Sequence, residues 1–438
     1  MKITSHAITL LAASALMLSV LVACTNRNET ASTDGITRVT IMHYKTGANV
    51  GALFFLPQVD RFNAKYAGKY QLTIEEVPND MYVELIKQLG LQNRLPVLIE
   101  GGDQTWLEEV IIPGNRFVDL SSWLDSKPEL KARFPPEALQ HNTRNGRLFS
   151  LGQPVIRPMT VFYNRALYTP SRPFAEMSWE AVAAELGDNK IAFMTGENAW
   201  TTMLVWSSLV ASEAGGPQLL TDGVSNKIMN YNHPAIINAT RRLQNLLRNH
   251  AAANTVGAAY ADAANAFMSR RAALIANGSW MVSDFTPDKS GNWSNGFDGN
   301  DVHGDVLPGN IGLANIIGYG WWIPSSATPA QQELAKAFIE FMNSPEELEA
   351  FMLAEGGTAP RVTLSPTFLA RRAENRLMDE YVGAVKATTL IVPAIGDAMP
   401  ASIANHEFPR ILPLLINGQL SPEDFCAELT RRAAESAL

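Results

Sequence analysis

Arg38-Val-Thr-Ile-Met-His-Tyr44 alternates apolar and polar side chains, the period of a strand. A helical stretch follows from Leu53 to Tyr66, with Phe54, Val59 and Phe62 available for a buried face. Gln71-Leu-Thr-Ile-Glu-Glu-Val77 alternates again, Tyr82 to Leu91 reads as a second helix, and Pro96-Val-Leu-Ile99 as a short buried strand. Strand, helix, strand, helix, strand implies right-handed crossovers and a parallel sheet. Ligands of open α/β sheets gather at the carboxyl ends of such strands. That points to Tyr44, ending the first, and to Asp103, in the loop Glu100-Gly101-Gly102-Asp103 after the third.

Farther on, Met159-Thr-Val-Phe-Tyr163 reads as a strand, and Ser178-Trp179-Glu180 opens a helix with Ser178 as its cap. Ala272-Ala-Leu-Ile275 is an apolar run expected to end in a turn at Asn277-Gly278. Ser344-Pro345-Glu346-Glu347 predicts a capping box with proline at the first helical position, and Gly356-Gly357 predicts the helix stop. Ser421-Pro422-Glu423-Asp424 opens a last helix in the same way. No internal repeat is visible.

Hydrophobic content of 46% and charged content of 18% describe a globular chain long enough for two domains. The formal net charge of −8, without blocks of like charge, argues against a nucleic-acid partner. Residues Ile8 to Val22 form an apolar run after Lys2. It is shorter than the roughly 20 residues of a membrane span and fits the core of an export signal. Leu21-Val22-Ala23-Cys24 resembles the lipobox of bacterial lipoproteins, which implies cleavage after residue 23 and a lipid on Cys24. Residues 25–35 are polar and aperiodic, a tether that reaches on the order of 40 Å when extended. The remaining cysteine, Cys426, then has no partner and reads as a small apolar residue of the terminal helix. His141, His233, His250, His303 and His406 are scattered, so no metal site is expected, and no phosphate loop or nucleophile motif appears.

Several landmarks in order resemble the extracellular solute-binding proteins of ABC importers, specifically family 1, which binds carbohydrates and related polyols. They are Phe62-Asn-Ala-Lys-Tyr66, Phe117-Val-Asp-Leu-Ser-Ser-Trp-Leu124, Gly146-Arg-Leu-Phe149 with Val161-Phe-Tyr-Asn-Arg165, and Met177-Ser-Trp-Glu180. Phe267-Met-Ser-Arg-Arg-Ala-Ala-Leu274 with Gly278-Ser-Trp280, and Ala335–Phe341 with Gly356–Arg361, complete the set. Departures are Pro96-Val97 for the family's Pro-Asp, Ser269 or Arg270 for a glycine, and Ser279 for the proline of Gly-Pro-Trp. The resemblance implies a two-lobe α/β periplasmic-binding-protein fold with a ligand cleft between the lobes and three hinge crossings, near 150–160, 312–320 and 358–363. The expected division is 1–23 signal peptide, 24–35 tether, 36–157 with 315–361 as the N-terminal lobe, and 158–314 with 362–438 as the C-terminal lobe. It also implies a monomeric binding protein rather than an enzyme. It would have no cofactor, be held at a membrane through Cys24, and deliver a sugar or oligosaccharide to permease transmembrane subunits.

Sugars present C–H faces that stack on aromatic rings and hydroxyl rims that need hydrogen-bond partners. Trp280 occupies the Gly-Pro-Trp position, where the ring stacks on ligand by resemblance. Trp321 and Trp322 follow Gly318-Tyr319-Gly320 in a strand, so they point to opposite faces, and Trp321 is the favoured cleft residue. Trp200, after Thr195-Gly-Glu-Asn198, stands where related proteins place second-lobe contacts; Trp206 lies in an apolar helix and reads as core. Asp103 and Tyr44 are candidate hydroxyl partners. Arg157 falls where some sugar binders carry a carboxylate: it would fork onto an anionic ligand, or pair with Asp103 or Glu100 and serve neutral hydroxyls. The alternative ligand is therefore a polyol phosphate or glycerophosphodiester, and a more distant alternative is a surface glycoside hydrolase with two carboxylates about 5–10 Å apart.

Overall fold

The computed structural model describes residues 35–436, apart from 48, 50, 103–105 and 315–319. Expectations for Cys24, the signal, most of the tether and Asp103 fall outside the described residues. β1 (Thr37–His43) and β2 (Tyr70–Glu76) pair in parallel, Thr37 opposite Tyr70 through His43 opposite Glu76. The connecting helix Ala52–Lys65 buries Phe54, Phe55, Val59 and Phe62. β3 (Ile99–Glu100) is shorter than the sequence suggests and does not extend this parallel pair. Pro96 has no N–H to give to a ladder, so pairing begins beyond it. β4 (Thr143–Arg144) and β5 (Arg147–Leu148) form a hairpin across Asn145-Gly146. Both turn residues have positive φ, as a type I′ turn requires.

The chain then leaves this lobe. β6 (Pro158–Asn164), β7 (Ile191–Ala192), β8 (Leu274–Gly278), β9 (Val302–Asp305) and β10 (Ile311–Ala314) build a second sheet around β6. Every residue of β6 is buried. Met159, Val161 and Tyr163 face one core and Phe162 the other, because both faces of the sheet are covered. One cover is the helix Trp200–Ala211, buried on all sides except at Trp200. The expected turn at Asn277-Gly278 is instead the end of β8, with Gly278 opposite Met159. Asn277 is held there by the Tyr260 hydroxyl, which accepts from Nδ2 at 3.1 Å. β11 (Trp321–Trp322) returns to the first lobe and pairs antiparallel with β3. β12 (Leu390–Val392) runs parallel to β10 in the second.

Three segments thus pass between lobes, and they are joined to one another. Leu151 and Trp321 exchange backbone hydrogen bonds of 3.0 Å, and Ile156 and Thr358 exchange two of 2.8 Å. Gly320 permits the first junction: a Cβ there would lie 2.1 Å from the Gly152 nitrogen. Ser344 caps the helix Pro345–Glu355 by accepting from the Glu347 N–H, but the reciprocal half of the expected capping box is missing. The Glu347 carboxylate is drawn to Arg61 instead, at 2.7 Å to both Nε and Nη2, and to Gln58 at 3.1 Å. Cys426 is buried in the terminal helix, and burial pushes its thiol up to about 11. Among the described residues no helix is long and apolar enough to cross a membrane, and no cluster of side chains suits a metal ion.

Candidate ligand-binding cleft

A cavity of about 300 Å³ lies where the lobes meet. The first lobe contributes Glu100, Asn142 and Trp321, the first crossing Gly152 to Arg157, and the second lobe Met159, Trp200, Trp280 and Asp397. Phe351, near the end of helix Pro345–Glu355, closes one side. The volume is at the small end of those that hold small molecules.

Strand geometry separates the adjacent tryptophans. Trp321 turns to the cavity and stacks on His43, centroids 5.2 Å apart, so only its margin is exposed. Trp322 points the opposite way, between Trp106 and Phe149, and donates to the Gly101 carbonyl at 2.8 Å. Trp200 is the first residue of its helix, and its ring meets Trp280 at 5.5 Å. Trp206 is core, its Nε1 donating to Thr240 at 3.1 Å.

Trp280 sits in the short turn of helix Ser279–Phe285 that follows β8. Its six-membered ring lies on Gly278, where a Cβ would come within 2.1–2.4 Å of three ring atoms. The Arg157 guanidinium lies over the same ring, 5.1 Å from its centroid, and 5.3 Å from that of Phe351. Its ion-pair partner is Glu355, at 3.1 Å, not Glu100. Glu100 is already engaged: its Oε1 accepts from Lys45 at 2.8 Å and its Oε2 from His43 at 2.8 Å. The Lys45 backbone N–H donates to His43 Nδ1 at 3.0 Å, which makes Nε2–H the donor to Glu100. Burial holds His43 below its ordinary pKa and therefore neutral. Burial opposes the charge on Glu100, but Lys45 and His43 outweigh it and keep the carboxyl well below the usual range.

Tyr44 does not line the cavity. It stands behind it, half-buried, stacked on His43 at 4.8 Å and tilted against Tyr82 at 5.2 Å. Burial, then the Glu100 charge, pushes its hydroxyl pKa up.

Three cleft residues had no sequence signal. Gln153 lines the cavity, and its side-chain nitrogen is buried with no hydrogen-bond partner. Asp397 lines the far wall, where burial raises its carboxyl to about 6 against the opposing pull of Lys227. Glu355 carries the charge opposite Arg157. The last two come from segments more than 190 residues away from the first crossing. Gln153 shows its role only when the neighbours that leave it unsatisfied are in place.

The family model for bacterial extracellular solute-binding proteins matches residues 48–349. Among solved structures, a chitin oligosaccharide binding protein shares 18% identity at a TM-score of 0.69, covering 91% of this chain and 98% of that one. A Streptococcus pneumoniae solute-binding protein solved with the blood group A-trisaccharide shares 15% at 0.70, over 92% and 100%. A structure from work on xylan utilisation by Caldanaerobius polysaccharolyticus shares 16% at 0.71, over 90% and 100%. Identities this low establish a common two-lobe fold. No curated protein sequence matches the chain.

Proposed function

The chain belongs to the bacterial extracellular solute-binding protein family, and from that premise we propose that it captures a neutral carbohydrate between its lobes. It closes on the sugar by hinge motion and delivers it to the transmembrane subunits of an ABC importer. The observation that carries this reading is the cleft wall. Trp200, Trp280, Trp321 and Phe351 supply apolar rings, and the unpartnered Gln153 amide supplies a donor for a hydroxyl oxygen. A similar protein solved with the blood group A-trisaccharide, and another named for binding chitin oligosaccharide, support it. Arg157 favours a neutral ligand over a phosphate, since Glu355 already compensates its charge.

Lobe boundaries at 157/158, 314/315 and 361/362 belong to the same proposal, as do ligand contacts by Trp200, Trp280, Trp321 and Arg157. Tyr44 supports the wall from behind, and Asp103 is kept as a proposed partner for a ligand hydroxyl. An export signal in residues 1–23 and a lipid on Cys24 would tether a monomer at a membrane, close to its importer. Incorporation of labelled palmitate into the full chain, and its loss in Cys24→Ala, tests the anchor.

The ligand class is tested by intrinsic tryptophan fluorescence against diacetylchitobiose, xylobiose, raffinose, glycerophosphocholine and inositol phosphate. A saturable change with a neutral sugar is expected. Saturation by the two phosphate compounds alone would replace the reading with a phosphate-ester binder. Release of reducing sugar from a bound oligosaccharide would make the protein a hydrolase.

A further inference from the structure

We propose that Arg157 is a gate on Trp280: its guanidinium occupies the ring face that a ligand needs, and a ligand must displace it to stack there. The inference rests on the carbohydrate reading of the cleft for its consequence, but not for its geometry.

Trp280 has two faces. One is pressed on Gly278, since an added Cβ would fall almost within the six-membered ring. The guanidinium lying over the ring therefore takes the other, at 5.1 Å from the centroid. Arg157 ends the first crossing, two residues before Met159, which is paired with Gly278. That register places the arginine beside the ring folded over the glycine. The arginine is also held from behind. Glu355 pairs with it at 3.1 Å, and the Phe351 ring lies 5.3 Å away. Yet its side chain remains 36% exposed, against 9% for Glu355, so the carboxylate is the fixed end of the pair and the guanidinium the movable one.

The contact has a use beyond occupancy. Glu355 ends its helix, and its backbone carbonyl accepts from the Ser279 hydroxyl at 2.5 Å, one residue before Trp280. Gly357 follows at φ +109°, close to the Ile156 carbonyl in the first crossing. The arginine thus bridges the aromatic wall and two of the three interlobe segments. Moving it aside alters the hinge as well as the stacking face. A ligand too small to replace the ring contact leaves the gate shut, which penalises weak stackers before closure begins.

Acrylamide quenching of the full chain measures the gate without any sugar. The Trp280 contribution is isolated by comparison with Trp280→Phe, and read in wild type, in Arg157→Ala and in Arg157→Ala/Glu355→Gln. The double variant avoids leaving a buried carboxylate unpaired, and thermal melts check that each is folded. The Trp280 quenching constant should at least double in either folded variant, and an unchanged constant overturns the gate. Stopped-flow mixing with raffinose and diacetylchitobiose adds the consequence. A sugar that binds wild type should associate roughly 2- to 30-fold faster with the double variant, the range set by one cation–π contact. Equal or slower association overturns the gate. If neither sugar binds any variant, the carbohydrate reading loses support while the acrylamide result still decides the gate.

Discussion

Gln153 and His43 show two opposite uses of a buried polar side chain. The Gln153 nitrogen has no partner in the protein, and leaving such a donor unsatisfied costs about 1–3 kcal/mol, which a bound hydroxyl recovers. Gln153→Ala should therefore weaken sugar binding by about 1–3 kcal/mol in calorimetry without lowering the melting temperature of the free protein, because the unpaired donor is removed with the side chain. An unaltered affinity would remove it from the site. His43 is fully satisfied as a neutral ring between the Lys45 N–H and Glu100. Its folded pKa lies below the ordinary value of 6.5, so in acid the unfolded chain binds the proton first. Stability from this group is present above the unfolded pKa and is lost as pH falls from there toward the folded one. Urea midpoints taken from pH 7.5 down to 5 should decline, and His43→Gln should flatten that decline; parallel curves would dissociate the histidine from it. Neither role can be read from residue type alone, because each depends on which neighbours the fold supplies.

Among elements, the helix Pro345–Glu355 does most to join site and scaffold. Its first turn is fixed to the first lobe through Glu347, whose carboxylate takes three hydrogen bonds from Arg61 and Gln58. Its last residues hold Arg157 and Ser279. Glu347→Ala should cost about 2–3 kcal/mol in chemical denaturation, because hydrogen bonds to a buried charged group are lost and Gln58 is left unpaired. Arg61→Ala should cost at least as much although that side chain is 42% exposed, because it leaves the buried Glu347 carboxylate without its cation. A clearly smaller loss would mean that the carboxylate finds water once the arginine is gone. The crossings offer a second test. Gly320→Ala drives a methyl against the Gly152 backbone, so it should destabilise by about 1–3 kcal/mol even though the added group is small. A neutral effect would show that the junction yields. The element boundaries were mostly legible in the sequence, including Ser178 as a cap and Gly356 as a stop. The capping box at Ser344 was half wrong because a tertiary ion pair outbid a local hydrogen bond. The supposed turn at Asn277-Gly278 failed because Gly278 serves the Trp280 ring rather than a reversal of the chain.

The whole molecule is two α/β lobes connected by three interlocked segments, an arrangement built for relative rotation. Small-angle scattering should show the radius of gyration falling when a sugar that alters tryptophan fluorescence is added to saturation. No change in the scattering curve with a saturated site would refute closure. Periodicity and capping residues determined the alternating strands and helices, and the ordered landmarks determined the family, because these depend on neighbours a few positions apart. The candidate aromatics Trp200, Trp280 and Trp321 were legible for the same reason, each standing beside a segment end. What only the tertiary structure decided is the company those residues keep. Glu355 rather than Glu100 faces Arg157, Arg157 covers Trp280, and Gln153 is left without a partner. Those facts join segments far apart in the chain, and contact energies between them exist only once both sheets and all three crossings are in place.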